Sequence, residues 1–352
     1  MSLKVVKINP VKPEEKNVQQ AAEVLKRGGL VIIPTETVYG IAIDSQNQKS
    51  LERLYEIKKR PKDKPFSLLI ADKDKVNELA QGLAPKVYRL MDKFWPGPLT
   101  LILNAKEKGT VGIRMPDNAV ALEIIRRSGV AVACPSANIS GKNPPLNFDQ
   151  AVKELGALVD LGVDSGPTKH KIESTIVDLT SDEVKVSREG AIKKEDILAT
   201  AKRKQVLFVC TGNSCRSVMA EALLKKKLKD NNRNDVDVIS AGIVLLGGLS
   251  ASEGTKEVLS KAGIDVSNHR SQQVSKDIIR RSDLILVMEK MHEAEILKIA
   301  PEAKNRVFLL KEFAKIREDD LEIHDPLGHT LDYYEDIYYI IKEAVERISG
   351  VL

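Results

Sequence analysis

The tightest constraint on this chain is an apolar strand, Val206-Leu207-Phe208-Val209, that runs directly into Cys210-Thr211-Gly212-Asn213-Ser214-Cys215-Arg216-Ser217 and then into a helical pattern. A buried strand that feeds a tight polar loop and a helix is one step of a strand-helix-strand unit, which dictates a parallel sheet with helices on both faces. The rest of the second half keeps the alternation. Strands are expected at Val236–Ser240, Leu284–Val287 and Arg306–Leu309, and helices from Ser217, from about Ser252 to Ala262, and from Leu331 to Ile348. In such a sheet ligands sit beyond the carboxyl ends of the strands. Cys210 lies at one of those ends.

The loop has a chemical reading. Backbone N–H groups of a tight turn at a helix N-terminus point inward and cradle an anion, and the guanidinium of Arg216 can hold two phosphoryl oxygens at once. The same positive field favours a thiolate at the base of the loop. Thiolate attack on phosphorus gives a phosphocysteine that water hydrolyses. The leaving group needs a proton, and His324-Asp325-Pro326 offers Asp325 as general acid, with Pro326 stiffening its loop. Cys210, Arg216 and Asp325 are thus the expected catalytic residues. Thr211, Gly212, Asn213, Ser214, Cys215 and Ser217 form the expected phosphate loop, with Gly212 and Asn213 as the types suited to positive φ. A buried structural cysteine is the plainer alternative, but it leaves the Asp-Pro dipeptide and the strand-loop-helix context unexplained.

At 352 residues the chain is longer than one core ordinarily supports, so two domains are expected. Their boundary falls in the polar run Lys193–Lys204. Lys and Arg outnumber Asp and Glu by 34 to 26 over residues 1–204, whereas residues 205–352 hold 21 against 24, so the front half is the anion binder. That excess suits a nucleotide or RNA-processing site as well as a broad nucleic-acid surface. Three cysteines cannot build a disulfide framework, and Cys210 and Cys215 have poor zinc spacing, so no metal site is expected. No apolar stretch approaches the roughly 18–20 residues of a membrane span, and the charged start does not read as a secretory signal. A cytoplasmic protein follows as the expectation.

The front half mixes strands (Leu30–Ile33, Leu99–Leu103, Val130–Ala133, Ser174–Leu179) with helices (Val18–Arg27, Lys49–Ile57, Lys75–Leu79) in no regular order. Its notable segments are Pro34-Thr35-Glu36-Thr37-Val38-Tyr39-Gly40, Lys58-Lys59-Arg60-Pro61, Pro96-Gly97-Pro98, Thr110 to Pro116 with Arg114, Pro135-Ser136-Ala137-Asn138-Ile139-Ser140-Gly141, and Arg188-Glu189-Gly190. Three separated basic elements, Lys58 with Arg60, Arg114 and Arg188, can converge on a polyanion such as triphosphate. There is no Walker sequence and no Gly-x-Gly-x-x-Gly, so a nucleotide would be held by side chains and irregular loops. The residues alone leave open whether this is a site or a set of solvated charges and ordinary turns. Cys134, in an apolar strand, reads as a small core residue rather than a nucleophile.

Residues 205–352 resemble the low-molecular-weight protein phosphatase family, including Ser240-Ala241-Gly242 after the second strand. The resemblance implies a nucleophile at Cys210, a transition-state clamp at Arg216 and an acid at Asp325, with Asn213 and Ser217 organising loop and thiolate and no cofactor. Cys215 matches a second loop cysteine that could trap Cys210 as a reversible disulfide. Ser214, Leu327 and Gly328 stand where tyrosine-specific members carry bulky apolar or aromatic residues, so the resemblance favours phosphoarginine over phosphotyrosine in a phosphoprotein substrate. Arsenate reductases share the loop string, but no cysteine follows Cys215 to continue their disulfide relay.

Residues 10–192 resemble the threonylcarbamoyl-adenylate synthase family, YrdC-like, through the Lys-x-Arg and Ser-x-Asn signature on Lys58, Arg60, Ser136 and Asn138. The resemblance implies condensation of L-threonine, bicarbonate and ATP with Mg2+, and a product that serves the tRNA-modification machinery. It implies ATP contacts at Lys58, Arg60, Thr110, Ser136, Asn138 and Arg188, and threonine contacts at Thr35, Arg114 and Ser174. Longer members carry a further C-terminal domain, a position the phosphatase-like half takes here. The expected fold is α/β: a YrdC-like twisted mixed-sheet α/β domain at 10–192, a linker at 193–204, and a doubly wound parallel-sheet phosphatase domain at 205–352. The alternative is an RNA- or nucleotide-binding module fused to a tyrosine phosphatase or an arsenate-reductase-like domain. ATP-to-pyrophosphate exchange separates catalysis from binding.

Overall fold

The run Leu30-Val31-Ile32-Ile33 is buried without a break, and the pleat sends neighbouring side chains to opposite faces of the sheet. Val31 and Ile33 pack with Val18, Leu25, Val120 and Ile124 from the helices Glu15–Lys26 and Ala119–Ser128. Leu30 and Ile32 pack with Leu54, Phe148 and Leu155 from Gln48–Lys58 and Phe148–Leu155 on the other side. Three of these four helices start at an asparagine that accepts a backbone N–H: Asn47 from Ser50, Asn118 from Ala121 and Asn147 from Gln150.

The computed structural model describes residues 3–244 and 247–352. The chain divides into two units, Met1–Leu83 with Arg89–Ala201 and Ala84–Tyr88 with Lys202–Leu352. The first unit has the strands β1 (Val5–Lys7), β2 (Val31–Ile33), β3 (Gly40–Asp44), β4 (Leu68–Leu69), β5 (Leu99–Asn104), β6 (Thr110–Arg114), β7 (Val132–Ala133), β8 (Leu161–Asp164), β9 (Thr175–Asp178) and β10 (Lys185–Arg188). They form one mixed sheet in the order β1-β8-β2-β3-β7-β4-β6-β5-β9-β10. Parallel pairs such as β5 with β9 alternate with antiparallel ones such as β5 with β6, which explains why the front half shows no regular strand-helix rhythm.

Two expected boundaries shift. The unit begins before residue 10, because β1 pairs in parallel with β8. The stretch 193–204 is not a free linker: it holds the helix Lys194–Lys202, which buries Ile197, Thr200 and Ala201 and receives Lys93 Nζ on Thr200 Oγ1 at 2.9 Å. Arg203 alone then separates that helix from the next strand.

The second unit is a parallel sheet of β11 (Lys204–Cys210), β12 (Val236–Gly242), β13 (Leu284–Val287) and β14 (Val307–Leu309) in the order β12-β11-β13-β14. Val206 and Phe208 face the helices Arg216–Asp230 and Leu331–Ser349, while Leu207 and Val209 face Lys276–Arg281 and Lys290–Ile299. The chain goes from β11 to one side and later returns to the other, so the carboxyl ends of β11 and β13 flank a crevice at the switch in strand order. Cys210 is the last residue of β11.

Phe208 is fully buried at the centre of this unit. Phe208→Ala is expected to cost about 3–5 kcal/mol through lost burial and the cavity left behind. Hydrogen exchange on the full chain should show β11 and β13 amides losing protection while β2 amides keep theirs, and unchanged protection in β11 would contradict this packing.

Candidate active sites

Beyond Cys210 the chain makes a tight loop and enters the helix Arg216–Asp230. The carbonyls of the loop are turned outward and engaged by backbone or side-chain donors. Cys210 O accepts from Ile243, Thr211 O from Val244 and Ser214 O from Ser252, each at 3.0 Å, and Asn213 O meets His269 Nε2 at 2.8 Å. In a trans peptide the N–H points opposite the carbonyl, so the N–H groups of Thr211, Gly212, Ser214 and Cys215 face the loop interior. That interior is an anion cradle.

Asn213 is the residue that takes positive φ, at 53°. Gly212 does not, and a Cβ there would meet nothing nearer than Ser214 Oγ at 3.7 Å, so the expectation of positive φ at Gly212 is corrected. The glycine the loop requires is Gly242 at the end of β12, where a Cβ would lie 2.7 Å from Thr211 O and 2.9 Å from Asn213 N.

Asn213 also sets the direction of a hydrogen-bond chain. Its Nδ2 donates to Ser240 Oγ at 2.7 Å and to Ser217 Oγ at 3.0 Å, and the Ser240 hydroxyl is committed to the Glu221 carboxylate. Ser217 therefore has its own proton left for Cys210 Sγ, 3.0 Å away. Cys210 and Cys215 are both free thiols, and Cys215 Sγ donates to Ser252 Oγ at 3.2 Å.

Arg216 is completely buried. Its Nη1 donates to Glu289 at 2.6 Å and to Ile323 O at 2.7 Å, and its Nη2 donates to Asp325 at 2.6 Å and Thr211 Oγ1 at 3.2 Å. Nε has no partner. The structure thus brings Cys210, Arg216, Asp325 and the loop together.

Glu289 and His292 were not legible as site residues. Glu289 lies two residues past β13, at the other wall of the same crevice, and that position is the signal that could have found it. His292, fully buried, accepts Glu289 N–H on Nδ1 at 3.0 Å, which places the ring proton on Nε2, donating to Thr211 Oγ1 at 3.0 Å. Burial, helped by the neighbouring Arg216, lowers the ring to about 4.

In the first unit, a cavity of about 180 Å³ is lined by Thr35, Arg60, Arg114, Ser136, Ser174 and Arg188, with Thr100, Cys134 and Glu173 among the other walls. Of the basic residues expected to converge, Arg60, Arg114 and Arg188 line this cavity and Lys58 does not. Arg114 pairs with the buried Glu36 at 2.7 Å and donates to Thr37 Oγ1 at 2.9 Å. Arg188 pairs with Glu173 at 2.5 Å and reaches Ser174 Oγ at 3.2 Å, and Ser174 Oγ in turn meets Thr100 Oγ1 at 2.9 Å. Arg60 is held by Lys64 O and Pro65 O at 2.9 and 3.0 Å and lies over the Phe66 ring. Thr35 spends its hydroxyl on Val38 O at 2.6 Å.

Three expected ATP contacts do not line this cavity. Lys58 is buried and turns its ammonium to Ser136 O at 2.8 Å and to both oxygens of Asn138, so it braces the Ser136–Asn138 turn. Burial, with Arg60 adding to it, lowers Lys58 to about 8. Asn138 itself donates to Ile139 O and Lys142 O. Thr110 is exposed at the start of β6, paired with Asn104. The resemblance implies these residues as ATP contacts, but a matched signature does not tell a lining residue from one that shapes the lining. Burial pushes the Cys134 thiol up to about 12, which suits a wall and not a nucleophile.

Residues 23–190 match the Sua5/YciO/YrdC family model, described as telomere recombination, and residues 205–350 match that of the low molecular weight phosphotyrosine protein phosphatases. The chain is 40% identical over 192 residues to the threonylcarbamoyl-AMP synthase of Bacillus subtilis, covering 52% of this chain and 56% of that protein. The chain therefore spans just over half the length of that relative. It is 37% identical over 202 residues to a putative threonylcarbamoyl-AMP synthase of Methanocaldococcus jannaschii, covering 54% of this chain and 94% of the relative. Over 143 residues it is 39% identical to the probable low molecular weight protein-tyrosine-phosphatase EpsP of Ralstonia solanacearum, covering 41% and 92%. The solved structure of Pyrococcus abyssi Sua5 complexed with L-threonine has a TM-score of 0.54 at 22% identity, covering 87% of this chain and 99% of that one, which is a likeness of fold.

Gly242→Ala is expected to push the loop apart, at roughly 1–3 kcal/mol for overpacking, and to weaken phosphate binding by at least about tenfold in calorimetric titration. Unchanged phosphate affinity would show that the loop does not depend on this close approach. A second expectation concerns His292, which is neutral in the folded protein. Between its unfolded value of 6.5 and its folded value of about 4, the unfolded chain binds a proton that the folded chain does not, so stability falls as pH drops through that window. The loss is roughly 3 kcal/mol in all. His292→Gln keeps a donor for Thr211 and removes the titration, so urea denaturation should show a shallower acid-side decline than wild type.

Proposed function

The chain belongs to the Sua5/YciO/YrdC family in its first part and to the low molecular weight phosphotyrosine protein phosphatase family in its second, and we propose that it is a bifunctional enzyme of the cytoplasm. The first unit makes L-threonylcarbamoyl-adenylate from L-threonine, bicarbonate and ATP, and the second is a cysteine-dependent protein phosphatase.

The observation that carries the phosphatase reading is the meeting of Cys210 with a loop of inward N–H groups and the buried, fully oriented Arg216. Cys210 attacks the phosphorus of a bound phosphoresidue, and the loop N–H groups with Arg216 take the charge that gathers on the equatorial oxygens. Asp325 gives its proton to the departing atom as the bond to phosphorus breaks. It then takes a proton from the water that hydrolyses the phosphocysteine, restoring thiol chemistry. Nucleophile, clamp and acid are all side chains, so the reaction needs no metal. Phosphoarginine is the preferred substrate in this reading, supported by the small Ser214 at the loop and by Leu327-Gly328 after Pro326 instead of aromatic residues.

For the first unit, the supporting observation is the convergence of Arg60, Arg114 and Arg188 with the hydroxyls of Ser136 and Ser174 on one cavity. About 180 Å³ is smaller than the roughly 300–1,000 Å³ of pockets that enclose whole drug-sized ligands. It suits the reacting ends: Arg114 and Ser174 on threonine, Arg60, Ser136 and Arg188 on phosphate. A carbamate oxygen attacks the α-phosphate of ATP and pyrophosphate leaves, with the arginines stabilising the charge. Among the described residues no cluster of three or more His, Cys, Asp or Glu could hold a resident metal. In this reading Mg2+ enters bound to the triphosphate, as part of the substrate. The adenylate is consumed by the tRNA-modification machinery.

Both activities are tested on the full chain. Wild type should exchange pyrophosphate into ATP only with threonine and bicarbonate present, and Arg188→Ala should lower that exchange by at least about a hundredfold. Exchange without threonine dependence would sink the synthase reading. Cys210→Ser should abolish hydrolysis of aryl phosphates and of phosphoarginine, and equal turnover of phosphoarginine and phosphotyrosine by wild type would remove the substrate preference.

A further inference from the structure

Asp325 sits on a stretch without helix or strand, between the helices Leu310–Phe313 and Leu331–Ser349. A general acid on such a stretch needs something to fix it. Part of the fixing comes from the crevice side: Ile323 N donates to Met288 O at 2.8 Å, Arg216 donates to Ile323 O, and Lys290 N donates to Glu322 Oε1 at 2.7 Å. The rest comes from inside. Lys311, 4% exposed, puts its ammonium into the stretch, where it donates to Asp320 O at 2.5 Å and Glu322 O at 3.4 Å and pairs with Glu318 at 2.5 Å.

Among the described residues, every polar partner of this ammonium lies between Glu318 and Glu322, immediately ahead of Asp325. A buried lysine is costly unless its donors are used, and here three acceptors use them. Both carbonyls belong to the stretch itself, so the ammonium ties its backbone at two points. Among the described residues, Lys311 makes no hydrogen bond or ion pair with Cys210 or the phosphate loop.

We propose that Lys311 is a positioning residue for the acid step: it pins the segment Glu318–Glu322 so that Asp325 reaches the atom leaving phosphorus. The inference rests on the phosphatase reading above and adds a residue to it. Its signature is selective. A weakened general acid slows expulsion of a poor leaving group far more than that of a good one, because a good one departs without the proton.

The experiment is kcat/KM of the full chain and its Lys311→Met variant for 4-nitrophenyl phosphate and phenyl phosphate. The expected loss is at least about tenfold for phenyl phosphate and under about threefold for 4-nitrophenyl phosphate, within the 10²–10⁴-fold that a general acid contributes. On an Asp325→Asn background, Lys311→Met should cost nothing further for phenyl phosphate, because the residue acts through Asp325. An equal loss on both substrates, no loss on either, or an undiminished loss on the Asp325→Asn background would overturn the proposal. Should Lys311→Met fail to fold, Lys311→Arg gives the same readout, with a leaving-group-dependent loss expected from the larger head group and an equal loss refuting it. If wild type hydrolyses neither substrate, the phosphatase reading fails instead.

Discussion

A guanidinium with no solvent contact organises the second unit. Burying a charge costs several kcal/mol unless it is paired and hydrogen-bonded, and Arg216 meets that demand with partners from three places: Thr211 after β11, Glu289 after β13, and Ile323 and Asp325 ahead of the last helix. Each partner is at or beyond a carboxyl strand end or on the segment that closes the crevice. The sheet order β12-β11-β13-β14 is what brings them within reach, because β11 and β13 are neighbours in the sheet while distant in the chain. Fold and site are thus linked through one residue: without the parallel order the charge has no partners, and without the charge the three segments have no common anchor.

Around that anchor the polar groups are ordered by what they can donate. Glu221 can only accept, so Ser240 donates to it; Ser240 then accepts from Asn213, whose second amide hydrogen goes to Ser217, leaving the Ser217 proton for the sulfur. On the other side His292 accepts from a backbone N–H and so must donate to Thr211. The donor to the sulfur and the donor to Thr211 are each decided by these partners. A site wired in this way reorganises little when an anion arrives, which is the condition under which fixed dipoles stabilise developing charge most effectively.

The phosphatase loop was legible in the sequence because its parts are contiguous: strand, loop and helix follow one another from Val206 to Asp230, and local chemistry dictates their geometry. Asp325 was legible because proline marked it. Glu289, His292 and Lys311 were not, since each becomes functional only through the packing of distant segments. The front half inverts the balance. Its lining residues come from β2–β3, β6, β7 and β9–β10 of a mixed sheet whose order no periodicity reveals. The family resemblance puts Lys58 and Asn138 among the ATP contacts, yet in the structure their connection is to each other, holding the turn that presents Ser136. The residue types expected at a site were present, but sequence does not distinguish the group that touches a ligand from the group that aims it.

The two units share a physical device. In the second, Arg216 Nη2 holds Asp325; in the first, Arg114 holds Glu36 and Arg188 holds Glu173. Each cation is neutralised by a carboxylate of its own chain, so none stands as an uncompensated charge in a low-dielectric wall. In the second unit Nη1 and Nη2 of Arg216 hold Glu289, Ile323, Thr211 and Asp325, while Nε has no hydrogen-bond partner among the described residues, so one donor of the buried guanidinium is left over after its internal partners are served.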